Sequence, residues 1–238
     1  MLDQKNPHPR DQRINFFEED HRYEVDGKPL ISVTGVIKQF FEEFDADAAI
    51  RKMRPGHPLF GKPPEEIKRM WKENGERASA EGTELHRQIE VFLNTGEQGD
   101  MHEFKKFHQI FGARRRGEPY RTEWVIFDEK RGIAGTIDYI YKIGDSYGMT
   151  DWKRSKSIKK ENRWRNAMAP IAHLPDCNYI RYCLQQNIYR LILLENYGID
   201  VSKMSLLQMY GDTFQPFQVP MMEQEARAVM DQANVSVS

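Results

Sequence analysis

The chain has 238 residues, 39% of them hydrophobic and 30% charged, with a net charge of −1. That balance describes a soluble globular chain long enough to bury a substantial core as one large domain, or as one core with an added lobe. No run approaches the ~18 consecutive apolar residues of a membrane span, and two cysteines, Cys177 and Cys183, are too few for a disulfide framework or a four-cysteine iron–sulfur cluster.

Residues 1–10 contain no apolar h-region, so no secretory leader is expected and an intracellular setting is, with viral or phage origin left open. Residues 14–32 alternate apolar and polar about Asp26-Gly27, which predicts a hairpin. Ser32-Val-Thr then opens a helix to about Phe44, capped by Ser32 or Thr34. The stretch 54–64 is rich in proline and glycine and reads as a loop. Pro64-Glu65-Glu66 suits a first helical turn, and a long helix should run to about Leu93, with a break expected near Gly82. A helix at 101–112 precedes three strands at 121–128, 133–143 and 146–153. A helix at 178–197, a strand at 204–210 and a closing helix at 221–233 follow. This order predicts an α/β fold, a central mixed sheet flanked by helices, with an N-terminal hairpin-plus-helix addition. The expected division is a lobe over 1–75 packed on a core over 76–238.

The strands carry the most informative residues. A hairpin turning at Gly144-Asp145 pairs residue n with residue 289 minus n, which sets Asp138 opposite Asp151. Opposed Cβ atoms lie about 4.5–5.5 Å apart, where like charges repel. Lys153 shares the face of Asp151. Two opposed carboxylates beside a lysine are poor structural economy unless a cation sits between them, and hard oxygen ligands suit Mg²⁺ or Mn²⁺.

Two helices add to the set. His86 and Glu90 share one helix face beside the apolar Leu85, Ile89 and Phe92. Neutral imidazole is an acceptable ligand for a divalent metal. Gln185 and Tyr189, also four apart, form a polar pair in an apolar stripe and can hydrogen-bond a phosphate or a water. Between Lys153 and Arg165 lie seven basic residues against one acidic, including Arg154, Lys156, Lys159, Lys160 and Arg163. Arg114, Arg115 and Arg116 form a second basic cluster. Basic stretches of this kind beside a carboxylate-bound cation suit a phosphate-backbone substrate.

Gly-Thr-x-x-His-x-x-x-Glu at 82–90, Gly-x-Ile-Asp at 135–138, Asp-Trp-Lys at 151–153 and Gln-x-x-x-Tyr at 185–189 occur in this order. Together they resemble the PD-(D/E)XK nuclease superfamily, in the RecB-type exonuclease branch that includes the CRISPR adaptation nucleases and the mitochondrial genome maintenance exonuclease. The resemblance spans about 77–210 and implies a restriction-endonuclease-like core. It implies that His86, Asp138 and Asp151 are metal ligands, with the backbone carbonyl of Trp152 a fourth. Lys153 would orient or help deprotonate the attacking water, and Gln185 and Tyr189 would position the substrate phosphate. Glu90 and Glu123 would support the site. Iron–sulfur members of the branch use four cysteines, so no cluster is expected here. The expected activity is Mg²⁺- or Mn²⁺-dependent hydrolysis of single- or double-stranded DNA in replication, repair or recombination, with one or two ions. An exonuclease is favoured over a structure-directed endonuclease on the same core, or an inactive nucleic-acid-binding module.

Overall fold

The structure is a computed structural model, and it describes residues 1–114 and 117–234, without the side chains of 112–114. A short helix α1 (Leu2–Lys5) and a 3₁₀ turn (Pro9–Arg13) lead into β1 (Ile14–Phe17), β2 (Arg22–Val25) and β3 (Lys28–Ser32). Asp26 and Gly27 both hold positive φ, 51° and 78°, the backbone that a two-residue type I′ hairpin requires. Helices α2 (Val33–Lys38), α3 (Ala46–Arg51), α4 (Pro64–Thr95) and α5 (His102–Arg114) follow. Then come β4 (Glu118–Asp128), β5 (Ile133–Ile143), β6 (Ser146–Arg154), α6 (Asn178–Ile192), β7 (Val201–Tyr210), β8 (Thr213–Gln218) and α7 (Glu223–Gln232).

Several elements differ from the sequence reading: α1 and α3 are additional helices, and the helix expected over 178–197 ends as an α-helix at Ile192. The helix opened by Ser32 ends at Lys38, although Ser32 Oγ does accept from Gly35 N–H as its cap. Helix α4 runs unbroken through Gly75 and Gly82 for 32 residues, roughly 48 Å at 1.5 Å per residue. A glycine weakens a helix by about 1 kcal/mol but neither clashes nor removes a donor, so the ladder continues. Strand β8 was not anticipated; it pairs with β7 from Ser205↔Gln218 to Tyr210↔Thr213.

The eight strands form one mixed sheet in the order β1-β2-β3-β5-β6-β7-β8, with β4 on the other edge of β5. The α/β class with helices on both faces is thus as the sequence reads. On one face α2, α6 and α7 pack through Ile37, Leu184, Ile188 and Val229 onto Trp124, Ile137 and Ile140. On the other, Leu85 and Ile89 of α4 and Phe104 and Phe107 of α5 pack onto Tyr139, Trp152, Leu207 and Met209. The N-terminal hairpin joins this sheet, since β3 runs parallel to β5 at Ile31↔Ile133 and Ser32↔Ala134. The expected boundary at residue 75 falls inside α4. Among the described residues no helix is long and apolar enough to cross a membrane.

One topological detail positions everything that follows. β4 pairs along β5 from Ile133 to Lys142, so β3 at residues 133–134 and β6 at residues 139–143 share the opposite edge. Between them, residues 135–138 have no strand neighbour on that edge. The sheet forks there, between the ends of two strands.

Candidate functional site

The hairpin register is the one that the Gly144-Asp145 turn dictates: β5 and β6 pair from Tyr139↔Thr150 to Ile143↔Ser146, each pair summing to 289. Asp138 and Asp151 occupy the next rung, at the fork. There the ladder ends, and Asp138 Oδ2 instead accepts from the Trp152 N–H at 2.6 Å.

On the other side of β5, Thr122↔Tyr139 and Trp124↔Ile137 place Glu123 opposite the same Asp138. Three carboxylates from adjacent strands therefore meet on one rung. Glu123 has φ of 43°, a left-handed conformation that costs a non-glycine residue on the order of 1–2 kcal/mol. The pleat slips at this rung. Ile137 and Ile140, three apart, enter the same core, and Thr122, two residues from Trp124, turns to the opposite face to accept from Asn94 of α4 at 2.9 Å. Strained backbone persists only where its surroundings over-determine it, and such positions cluster at functional sites.

His86 reaches in from the buried face of α4. Its Nε2 lies 3.0 Å from the Trp152 carbonyl, which fixes that nitrogen as the N–H donor. Nδ1 then faces Glu123 Oε1 at 3.4 Å and Asp138 Oδ2 at 3.7 Å. Ligand atoms of His86, Glu123 and Asp138 all lie within 4.8 Å of one another, a spacing that can hold a metal ion. The Trp152 carbonyl, expected as a metal ligand, is here the acceptor for the imidazole. Glu123, expected only as support, is inside the cluster.

Asp151 and Lys153 point to the α6 side. Lys153 Nζ lies 3.0 Å from Asp151 Oδ1 and 2.8 Å from Oδ2, the second contact lacking hydrogen-bond geometry, so buried Oδ2 has no hydrogen-bond partner. Nζ also donates to Gln185 Oε1 at 3.4 Å and lies 4.7 Å above the Tyr182 ring. Gln185 Nε2 donates to Tyr189 Oη at 2.9 Å. Gln185 and Tyr189 are both buried, and Gln185 bridges Lys153 to Tyr189. The Tyr189 ring fills the space where Gly135 lacks a side chain.

The charges are strained. Burial pushes the Asp151 carboxyl up to about 6 even with Lys153 beside it. Burial likewise raises Asp138. Burial works against the His86 imidazolium, yet the Asp138 and Glu123 carboxylates lift it to about 9. Desolvation also opposes the Lys153 ammonium, and Asp151 and Asp138 outweigh it and hold it above the ordinary value. Three acids thus face one lysine and one imidazole in a low-dielectric pocket. His86 Nδ1 and the carboxylate oxygens of Glu123 and Asp138 form a donor set that fits a hard divalent cation, while Asp151, expected as a ligand, is paired with Lys153 beside that cluster.

The other predicted residues are dispersed. Glu90, half-buried and raised by that burial, lines a cavity of about 270 Å³ with Asp3, Asn94 and Glu123. Arg154, expected as a nucleic-acid contact, is here paired with Glu81 at 2.7 Å and Glu103 at 3.0 Å; its side chain is 13% exposed, and it clamps α4 and α5 to β6. Lys156 sits 5.6 Å from the Tyr210 ring, and Lys160 lies over Tyr179 and Phe217. Lys159 and Arg163 line an open cavity of about 780 Å³ beside α6. Arg115, Arg116 and the Arg114 side chain lie outside the described residues. Sequence reasoning missed Tyr182, although it stands one turn before Gln185 on the same helical face, a spacing that would have found it.

No family model matches the chain. No curated protein matches it either. Among solved structures, the following two are similar at a low level, and others match as well. One is the crystal structure of SSO0001, with 15% identity, 84% of this chain and 72% of that chain covered, and a TM-score of 0.37. The other is a provisionally named exonuclease of Eubacterium rectale, with 15% identity, 63% of this chain and 64% of that chain covered, and a TM-score of 0.39. Likeness at this level says nothing of what the chain does.

Proposed function

We propose that this protein is a nuclease, a Mg²⁺- or Mn²⁺-dependent hydrolase of DNA phosphodiester bonds, and an exonuclease in DNA replication, repair or recombination. The observation that carries this reading is the single rung of Glu123, Asp138 and Asp151 at the fork of the sheet, with Lys153 against Asp151 and His86 against the other two. The motif order resembling the PD-(D/E)XK nucleases supports it from the sequence.

His86 Nδ1, Glu123 and Asp138 would hold the cation, with Asp151 adjoining. Such an ion supplies positive charge that polarises a phosphoryl oxygen and offsets charge developing on it. The chain's own groups do the rest. Lys153 Nζ has three protons, and its bonds to Asp151 and Gln185 leave one for a water or a phosphate oxygen. Gln185 and Tyr189 act as positioning residues that fix the ammonium. Hydrolysis consumes one water, forms its P–O bond and releases one sugar oxygen as a hydroxyl.

The test is a time course on end-labelled linear DNA, single- and double-stranded, with Mg²⁺, Mn²⁺ or EDTA. Metal-dependent product from wild type but not from Lys153→Ala is expected, and an uncut circular substrate would make the activity exonucleolytic. Equal cleavage by Lys153→Ala removes this site from the reaction. Independently of turnover, Mn²⁺ at a hundredfold excess over its Kd should raise the Tm by about 5–10 °C. That shift should vanish in Glu123→Gln/Asp138→Asn; a shift retained by the double variant places the ion elsewhere.

A further inference from the structure

The 780 Å³ cavity beside α6 carries more than basic charge. Trp164 stands on its rim with 92% of its surface exposed, more than any other large hydrophobic residue among those described. This exposure is not that of a loose loop. Asn162 Oδ1 accepts from the backbone N–H groups of Trp164 at 3.0 Å and Arg165 at 3.3 Å, while Asn162 Nδ2 donates to the Asp176 carbonyl at 2.8 Å. The Asp176 N–H returns to the Arg165 carbonyl at 2.9 Å. A turn pinned on both sides therefore presents an indole to solvent.

The cavity below it is built. Asp176 is buried, and its carboxylate holds the Arg181 guanidinium at 2.6 Å and stands 3.6 Å from that of Arg165. Arg181 is further fixed by lying 4.3 Å over the Phe41 ring. Lys159 and Arg163 add two more cations; Glu161, an exposed acid at the rim, is 3.9 Å from Arg163. The wall nearest the carboxylate rung is Tyr182, the same ring that lies under Lys153 Nζ. The lining thus runs from an exposed indole, past the fixed Arg181 guanidinium and the charged groups of Lys159 and Arg163, to the ring under the lysine of the proposed reaction.

From this we infer that the cavity is a binding site for an unpaired nucleotide of the substrate strand, with Trp164 stacking on its base and Lys159, Arg163 and Arg181 on its phosphates. Bases inside a duplex hide both faces in the stack, so an indole can cover one only on a single strand or at a duplex end. The site rests on the nuclease reading for its purpose, but not for its ligand.

The experiment uses the full chain in EDTA, where no hydrolysis proceeds, titrated with a 12-residue oligothymidylate. Trp164 should supply a quenchable fluorescence component that Trp164→Phe lacks, and Trp164→Ala should bind roughly 5- to 100-fold more weakly, with Trp164→Phe restoring most of the affinity. Phe60→Ala, an exposed aromatic on another segment, should bind as wild type does. Closed circular duplex, which has no ends, should bind wild type and Trp164→Ala alike. Equal oligothymidylate binding by wild type and Trp164→Ala, or none by wild type, overturns the inference even if the protein cleaves DNA. Trp164-dependent binding without cleavage under any metal leaves this site standing and removes the nuclease reading instead.

Discussion

Gly135 shows how much of the site rests on one missing methyl group. A Cβ there would stand 2.5 Å from Tyr189 Cε1 and 2.9 Å from its Oη, and the ring is buried and bonded to Gln185. Gly135→Ala must therefore push Tyr189, and through Gln185 it moves Lys153. Overpacking of this kind costs about 1–3 kcal/mol, and ångström-scale misplacement of a reacting group costs on the order of a hundredfold in rate. The expected result is a folded protein with a lowered denaturation midpoint and at least tenfold slower DNA hydrolysis; an unchanged rate would detach Tyr189 from the chemistry. At this scale the sequence was informative about Asp138, Asp151 and Lys153, because a turn of known length pins their register. It named Glu123 only as a support and not as a member of the cluster, because its place depends on a left-handed backbone and a slipped pleat that regular alternation does not foresee. Nor does it show that Arg154 is paired, since Glu81 and Glu103 are distant in sequence and meet it only through the packing of two helices.

At the scale of elements, the N-terminal segment is tied to the strand that carries Glu123. Asp11 accepts from Arg121 Nη1 and Trp124 Nε1, both at 2.8 Å, and from the His8 N–H at 3.0 Å. Partial burial works against its carboxylate, yet those bonds hold it below its ordinary 3.8. The Arg121 side chain is itself only 7% exposed. Asp11→Ala leaves that guanidinium without its anion and should cost about 2–4 kcal/mol at pH 7. A depressed carboxyl stabilises the fold above its unfolded pKa and loses that contribution as pH falls through the folded one. The gap between wild type and variant in urea melts should therefore be constant from pH 8 to pH 5 and close below about pH 4. A gap that widens in acid would contradict this account of Asp11. The elements themselves were largely legible, since hairpin turns, proline starts and apolar stripes are local signals. Strand β8 was not, for its Pro216 and exposed polar residues read as loop until β7 offers an edge to pair with.

The whole molecule is less evenly supported than its single sheet suggests. The C-terminal half of α4 carries His86 and is packed through Leu85 and Ile89. Residues 72–80 of the same helix are exposed without interruption, and beyond them lies the segment where α3 meets α4. Nothing lies within 4 Å of a Cβ built at Gly75 or Gly82. Gly75→Ala and Gly82→Ala should each stabilise this stretch by about 0.5–1 kcal/mol. Amide exchange at 72–80 should be faster than at 85–92 in wild type and slow in the double variant; equal exchange in both would mean that the stretch is braced by contacts outside it. In mechanical terms α4 is a beam clamped at the end that holds His86 and loaded at the other. Two glycines lie in its unbraced span, so its bending stiffness is adjustable at positions that touch neither His86 nor the outer segment.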